Sequence, residues 1–287
     1  MKKLLLGLCT LLCITSSYAK LNVVVSIPPQ QSYVEEIGKD LVDITLLAPI
    51  GSNPNFYEPK VSQMLSVEKA DVYFTIGGNF EKAWLPKIKN QNQNMKIIDS
   101  SSGITRIDMK FNKKNRAVSS TDKIRKDVHV WTIPKNIAII GKNIYESLVR
   151  LDSKNEKQYK KNYEEFLEKV RKTDESIKNI LKDVENNTKF MVFHPAWGYF
   201  SKEYNLEQMP IEIEGKEPKA RELKKMIEKG RKYKIKVILT QAEFSTKGAN
   251  LIANELNIKV VEISPISPYW SENLINLANI IAENKQK

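Results

Sequence analysis

Cysteine and histidine are almost missing from this chain. Its 287 residues hold two of each: Cys9 and Cys13, His129 and His194. No apolar run reaches the roughly 20 residues that a membrane-spanning helix needs, and Pro (12) and Gly (11) are too sparse for a collagen-like or low-complexity chain. With 41% hydrophobic and 28% charged residues the chain can bury a real core, so intrinsic disorder is excluded. Its length suggests two domains.

The N-terminus reads as an export signal. Lys2 and Lys3 precede an apolar run from Leu4 to Ile14, and Ser17-Tyr18-Ala19 fits a small-x-small cleavage site. Residues 1–19 are therefore expected to be a signal peptide cleaved after Ala19, giving a periplasmic protein. An uncleaved anchor would need a longer run. Lipidation at Cys9 or Cys13 would leave a very short apolar run ahead of the thiol. Cleavage removes both cysteines, and with them disulfides, thiolate metal sites and a cysteine nucleophile.

The formal charge is +12. The basic residues are interleaved with Asp and Glu, and their densest excess, residues 110–126, is polar and loop-like. That distribution suits a solvated surface or anionic membrane, and no nucleic-acid partner is expected.

Predicted strands at 21–27, 42–48, 72–76 and 96–99 alternate with predicted helices at 32–39, 59–69 and 80–88, the pattern of parallel βα units. Over 157–184 the residues Tyr159, Tyr163, Phe166, Val170, Ile177, Leu181 and Val184 mark one helical face, uninterrupted by Gly or Pro. This predicts a connector of about 42 Å. Alternation resumes with strands at 189–193, 235–240 and 258–263 and helices at 219–229, 246–255 and 271–284. The expected fold is α/β: two lobes with mostly parallel sheets, residues 20–156 and 185–287, joined by the helix 157–184.

One histidine falls in each half. His194 ends a predicted strand, and ligand sites of open α/β sheets lie beyond the carboxyl ends of strands. A cleft between lobes would bring the two imidazoles together, whereas either alone could simply satisfy local hydrogen bonds.

Several ordered segments resemble the metal-binding periplasmic proteins of ABC transporters, the group that handles zinc and manganese. They are residues 22–29 (NVVVSIPP), 51–59 (GSNPNFYEP), 71–77 (DVYFTIG), Phe80-Glu81 with Trp84-Leu85, 127–131 (DVHVW), 192–200 (VFHPAWGYF), Glu217-Pro218 and 244–247 (FSTK), together with the long helix. The resemblance implies a cleft site with His in three motifs, an acidic residue or water often completing it. It also implies a permease partner, a transported divalent metal and a monomer rather than an enzyme. A histidine in the third motif points to zinc, in keeping with imidazole chemistry. The expected metal residues are His129 and His194, with Asn55 a weak oxygen donor where the family has its first His.

Ser264 stands where many members carry Asp, and the basic loop lacks the histidines common in zinc-binding relatives. Glu81, Glu243 and Glu262 are candidates to complete the site, with Glu58, Glu214 and Glu217 equally unplaced. Two other functions remain open. One is a binding or adhesion protein with an altered metal site; the other is an exported two-His metallohydrolase. The latter lacks any His-Glu-x-x-His or Gly-x-Ser-x-Gly run.

Overall fold

Val23, Val24 and Val25 are all buried, as expected of a strand covered on both faces of a parallel sheet. In the computed structural model, which describes residues 19–54, 56–109, 125–213 and 216–285, they belong to β1 (Leu21–Val25). Beside it lie β2 (Val42–Leu46), β3 (Val72–Thr75) and β4 (Lys96–Asp99), in the order β2-β1-β3-β4, every pairing parallel. The second half repeats this arrangement with β5 (Thr188–Val192), β6 (Leu206–Pro210), β7 (Val237–Thr240) and β8 (Lys259–Glu262), in the order β6-β5-β7-β8. The two-lobe α/β architecture is thus present. The signal segment, Asn55, Glu214 and most of the basic loop lie outside the described residues.

Side chains alternate across each strand, so the two faces of each sheet feed different cores. Val23 and Val25 point with Val192 and Leu239 into one apolar core shared by both sheets. Val24 and Tyr73 face a separate core on the outer side of the first sheet, and Met191 and Ile238 do the same on the second.

The helices of the shared core are α1 (Pro28–Gly38), α4 (Pro134–Leu151), α5 (Glu156–Leu181) and α9 (Trp270–Glu283). Helix α5 is the predicted connector. It packs on α1 and α4 from the first half and on α9 from the second. Tyr159, Phe166, Val170, Ile177 and Leu181 are buried as expected, and Asn162 and Thr173 share their face. Both polar residues are satisfied: Asn162 Nδ2 donates to the Ile37 carbonyl at 2.9 Å, and the Thr173 and Ser271 hydroxyls are 2.7 Å apart. Val184 lies beyond the helix. The rings of Tyr33, Phe166 and Trp270, from α1, α5 and α9, meet in a triangle with centroids 5.9 Å apart on each side.

The outer faces carry α2 (Val61–Glu68) and α3 (Asn79–Gln91) on the first sheet, and α7 (Ala220–Lys232) and α8 (Lys247–Leu256) on the second; α6 (Gly198–Glu203) follows β5. Three differences from the sequence-based expectation matter. Pro28-Pro29 does not merely stop β1; it forms the first turn of α1, where a missing N–H costs nothing. Helix α4, absent from the expected pattern, fills the space before the connector. Strand β6, at the edge of the second sheet, is likewise absent from the expected pattern, and its position decides the site below. No helix among the described residues is long and apolar enough to cross a membrane.

Candidate metal centre

His129 follows the antiparallel bridge between Asp108 and Lys126, which closes the base of the basic loop. It precedes a short helical turn, Val130–Thr132. Asp127 Oδ1 accepts from the His129 backbone N–H at 2.9 Å and from Nδ1 at 2.7 Å. The carboxylate thus fixes both the backbone and the ring, and turns Nε2 toward the other half of the molecule.

His194 lies two residues past the end of β5. Its Nδ1 is 2.9 Å from Glu212 Oε2. Sheet register explains this pairing. Val192 is opposite Pro210, and the Ile211 and Glu212 N–H groups donate to the carbonyls of Val192 and Phe193. Position 212 is therefore level with position 194 on the neighbouring strand. Phe244 stacks on the His194 ring, centroids 4.5 Å apart at 15°. Burial pushes the His194 pKa down; the Glu212 hydrogen bond opposes that shift, and the neighbouring His129 adds to it.

The two Nε2 atoms stand 3.3 Å apart. With each Nδ1–H donated to a carboxylate, both Nε2 atoms direct lone pairs at each other, a tautomer assignment that follows from the hydrogen-bond network. Two acceptors in contact repel unless a cation or a shared proton lies between them. The spacing has a direct chemical meaning. Two nitrogens bound to one tetrahedral zinc at about 2.0–2.1 Å are separated by about 3.3–3.4 Å. Carboxylates on the far ring nitrogens are the usual outer support of metal-ligating histidines.

The imidazoles open into a cavity of about 60 Å³, lined also by Asn53, Glu81, Trp131, Glu243 and Phe244. Since one water needs roughly 10–15 Å³ on such a measure, this space suits an ion with a few waters and is too small for an organic substrate. Among the described residues, no three His, Cys, Asp or Glu groups are gathered closely enough to hold an ion as they stand.

Of the candidate carboxylates, Glu81 and Glu243 reach the cavity wall. Glu81 is buried, and its oxygens are engaged by Ser26 Oγ at 2.5 Å and the Ile76 and Gly77 N–H groups at 2.7 and 2.6 Å. Burial nevertheless raises its pKa, partly offset by those three donors. Glu58, Glu217 and Glu262 are exposed and do not line the cavity. Sequence reasoning singled out both histidines but missed the supporting roles of Asp127 and Glu212. Asp127 stands in a quoted motif. Glu212 could be found only by pairing β6 with β5.

The chain is similar to known proteins over most of its length. Residues 23–284 match the family described as ZnuA, zinc-uptake complex component A, periplasmic. The high-affinity zinc uptake system protein ZnuA of Bacillus subtilis is 28% identical over 246 residues, spanning 84% of this chain and 76% of that protein. The manganese ABC transporter substrate-binding lipoprotein PsaA of Streptococcus pneumoniae is also 28% identical, over 257 residues covering 85% and 79%. A crystal structure of ZnuA superposes with a TM-score of 0.85 at 38% identity, covering 93% of this chain and 99% of the other.

Proposed function

Because the chain belongs to the ZnuA family of metal-binding substrate-binding proteins of ABC transporters, which are transport proteins and not enzymes, we propose that it captures zinc outside the cytoplasm and delivers it to a membrane permease. His129 and His194 serve as the paired nitrogen ligands. The observation that carries this reading is the 3.3 Å separation of their Nε2 atoms, with each opposite ring nitrogen on a buried carboxylate.

Zinc is favoured over manganese by donor chemistry. Two imidazoles make a nitrogen-rich site, and oxygen-rich sites suit manganese. Relatives of both kinds are similar to this chain, so family membership alone does not choose the metal. Asn55, in the segment 51–59, is at most a weak oxygen contact. The protein works as a monomer of two lobes, residues 20–156 and 185–287, bridged by the connector, and is released from its signal after Ala19.

Metal titration of freshly chelated protein tests the reading. Zinc should outcompete manganese by orders of magnitude in a chelator competition at neutral pH. Equal affinity for the two ions, or no binding of either, would overturn it. Mass spectrometry of the exported protein should find Lys20 at the N-terminus and no thiol.

A further inference from the structure

Two imidazoles leave a tetrahedral ion half coordinated. The sequence offers Asn55 and Ser264 where stronger donors are expected from the family resemblance. We propose that Glu243 supplies the missing anionic donor, held for that purpose by Ser264; this rests on the metal-capture reading above.

Four observations converge on Glu243. It lines the same cavity as His129 and His194. Its Oε2 is buried without a hydrogen-bond partner among the described residues. A carboxylate oxygen left in that condition carries an unrecovered desolvation cost, which a cation in the cavity removes. Its Oε1 accepts from Ser264 Oγ at 2.7 Å, and Ser264 Oγ in turn accepts from the Ile266 N–H at 3.2 Å. The hydroxyl that stands in place of a ligand aspartate therefore orients a carboxylate contributed by a different loop. Finally, the backbone at 243 is fixed from both sides. Asn53 Nδ2, from the first half of the chain, donates to the Glu243 carbonyl at 3.3 Å, and the next residue, Phe244, is stacked on His194.

The alternatives are weaker. Glu81 shares the cavity, but both its oxygens are occupied by Ser26 and by two backbone N–H groups. Glu212 Oε1 is also without a partner among the described residues, yet that side chain sits on the Nδ1 side of His194 and does not line the cavity. In the proposed site Glu243 Oε2 turns toward the two Nε2 atoms while Ser264 keeps Oε1.

Competition against a zinc chelator at neutral pH, with the full exported chain, tests the assignment. Glu243→Gln keeps the shape and the acceptor for Ser264 but removes the anion, and should weaken zinc binding by at least about tenfold. Glu262→Gln, an exposed change, should leave affinity unchanged. Infrared difference spectra of zinc-loaded minus metal-free protein should show a carboxylate band that disappears in Glu243→Gln and persists in Glu262→Gln. Adding Ser264→Asp to Glu243→Gln should restore much of the affinity by returning a carboxylate to the cavity.

Wild-type affinity and an unchanged carboxylate band in Glu243→Gln would overturn the assignment. Provided His129→Ala and His194→Ala still abolish binding, metal capture itself would stand. If the unmodified protein binds no zinc, both ideas fall together.

Discussion

A β-carbon placed on Gly198 would lie 2.5 Å from Asp127 Oδ2, although the two residues come from opposite halves of the chain. Asp127 is almost completely buried and holds the His129 ring through its other oxygen. The space it needs exists only because residue 198 has no side chain. Gly198→Ala should push the carboxylate away and turn the His129 ring, weakening zinc binding about 10–100-fold, the usual effect of losing outer support. Calorimetric titration beside a measurement of thermal stability would separate this from simple unfolding. Unaltered affinity would mean that Asp127 does not set the ring position.

Direct loss of a ligand should be more damaging. His129→Ala and His194→Ala should each weaken zinc binding by more than about a hundredfold in chelator competition, since each removes half of the observed nitrogen pair. Asn55→Ala should do much less. Asn55→His should tighten binding by adding an imidazole where the family resemblance implies one. Tight binding that survives loss of both histidines would remove the basis of the site.

Acid should destabilise the metal-free protein through His194. Its folded pKa lies below the ordinary imidazole value because of burial. The unfolded chain, titrating near 6.5, therefore binds more protons than the native state between that pH and the folded pKa. Native stability is fully present above about 6.5 and falls as pH drops through the folded pKa. Thermal unfolding of chelated protein between neutral pH and pH 5 should show this slope, and His194→Asn should flatten it. An identical slope in the variant would assign the effect elsewhere.

The connector offers a test of the fold. Val170 sits mid-helix in α5 and packs in the core shared by both halves. Val170→Pro removes a helical hydrogen bond and clashes with the preceding turn, so it should cost about 3 kcal/mol or more. Denaturant unfolding would measure the loss. A cost well below 1 kcal/mol would indicate that α5 contributes little to joining the two halves.

The buried stripe of α5 was legible because its apolar residues recur at helical spacing with polar residues between them. Helix α4 was not. Its run Ile137-Ala138-Ile139-Ile140 is strand-like locally, and packing against α1 and α5 decides the outcome. Strand β6 escaped for a different reason. It ends on Pro210 and carries Glu207 and Gln208, a composition that argues against an interior strand, but β6 lies on the sheet edge, where such residues are tolerated. Missing β6 concealed Glu212. His129 and His194 were found because histidine is so scarce. Their mutual approach was expected from one falling in each half, but the distance depends on cross-chain contacts that no local pattern records.

Those contacts carry a kinetic consequence. Trp270 of the last helix is wedged against Tyr33 and Phe166, Ser32 Oγ donates to the Pro268 carbonyl at 2.7 Å, and Trp131 Nε1 donates to the Pro265 carbonyl at 2.8 Å. Spreading the lobes like a jaw would tear this seam and expose its aromatic surface. Under the proposed zinc capture, an ion would leave by local displacement of the histidine-bearing segments rather than by separation of the lobes.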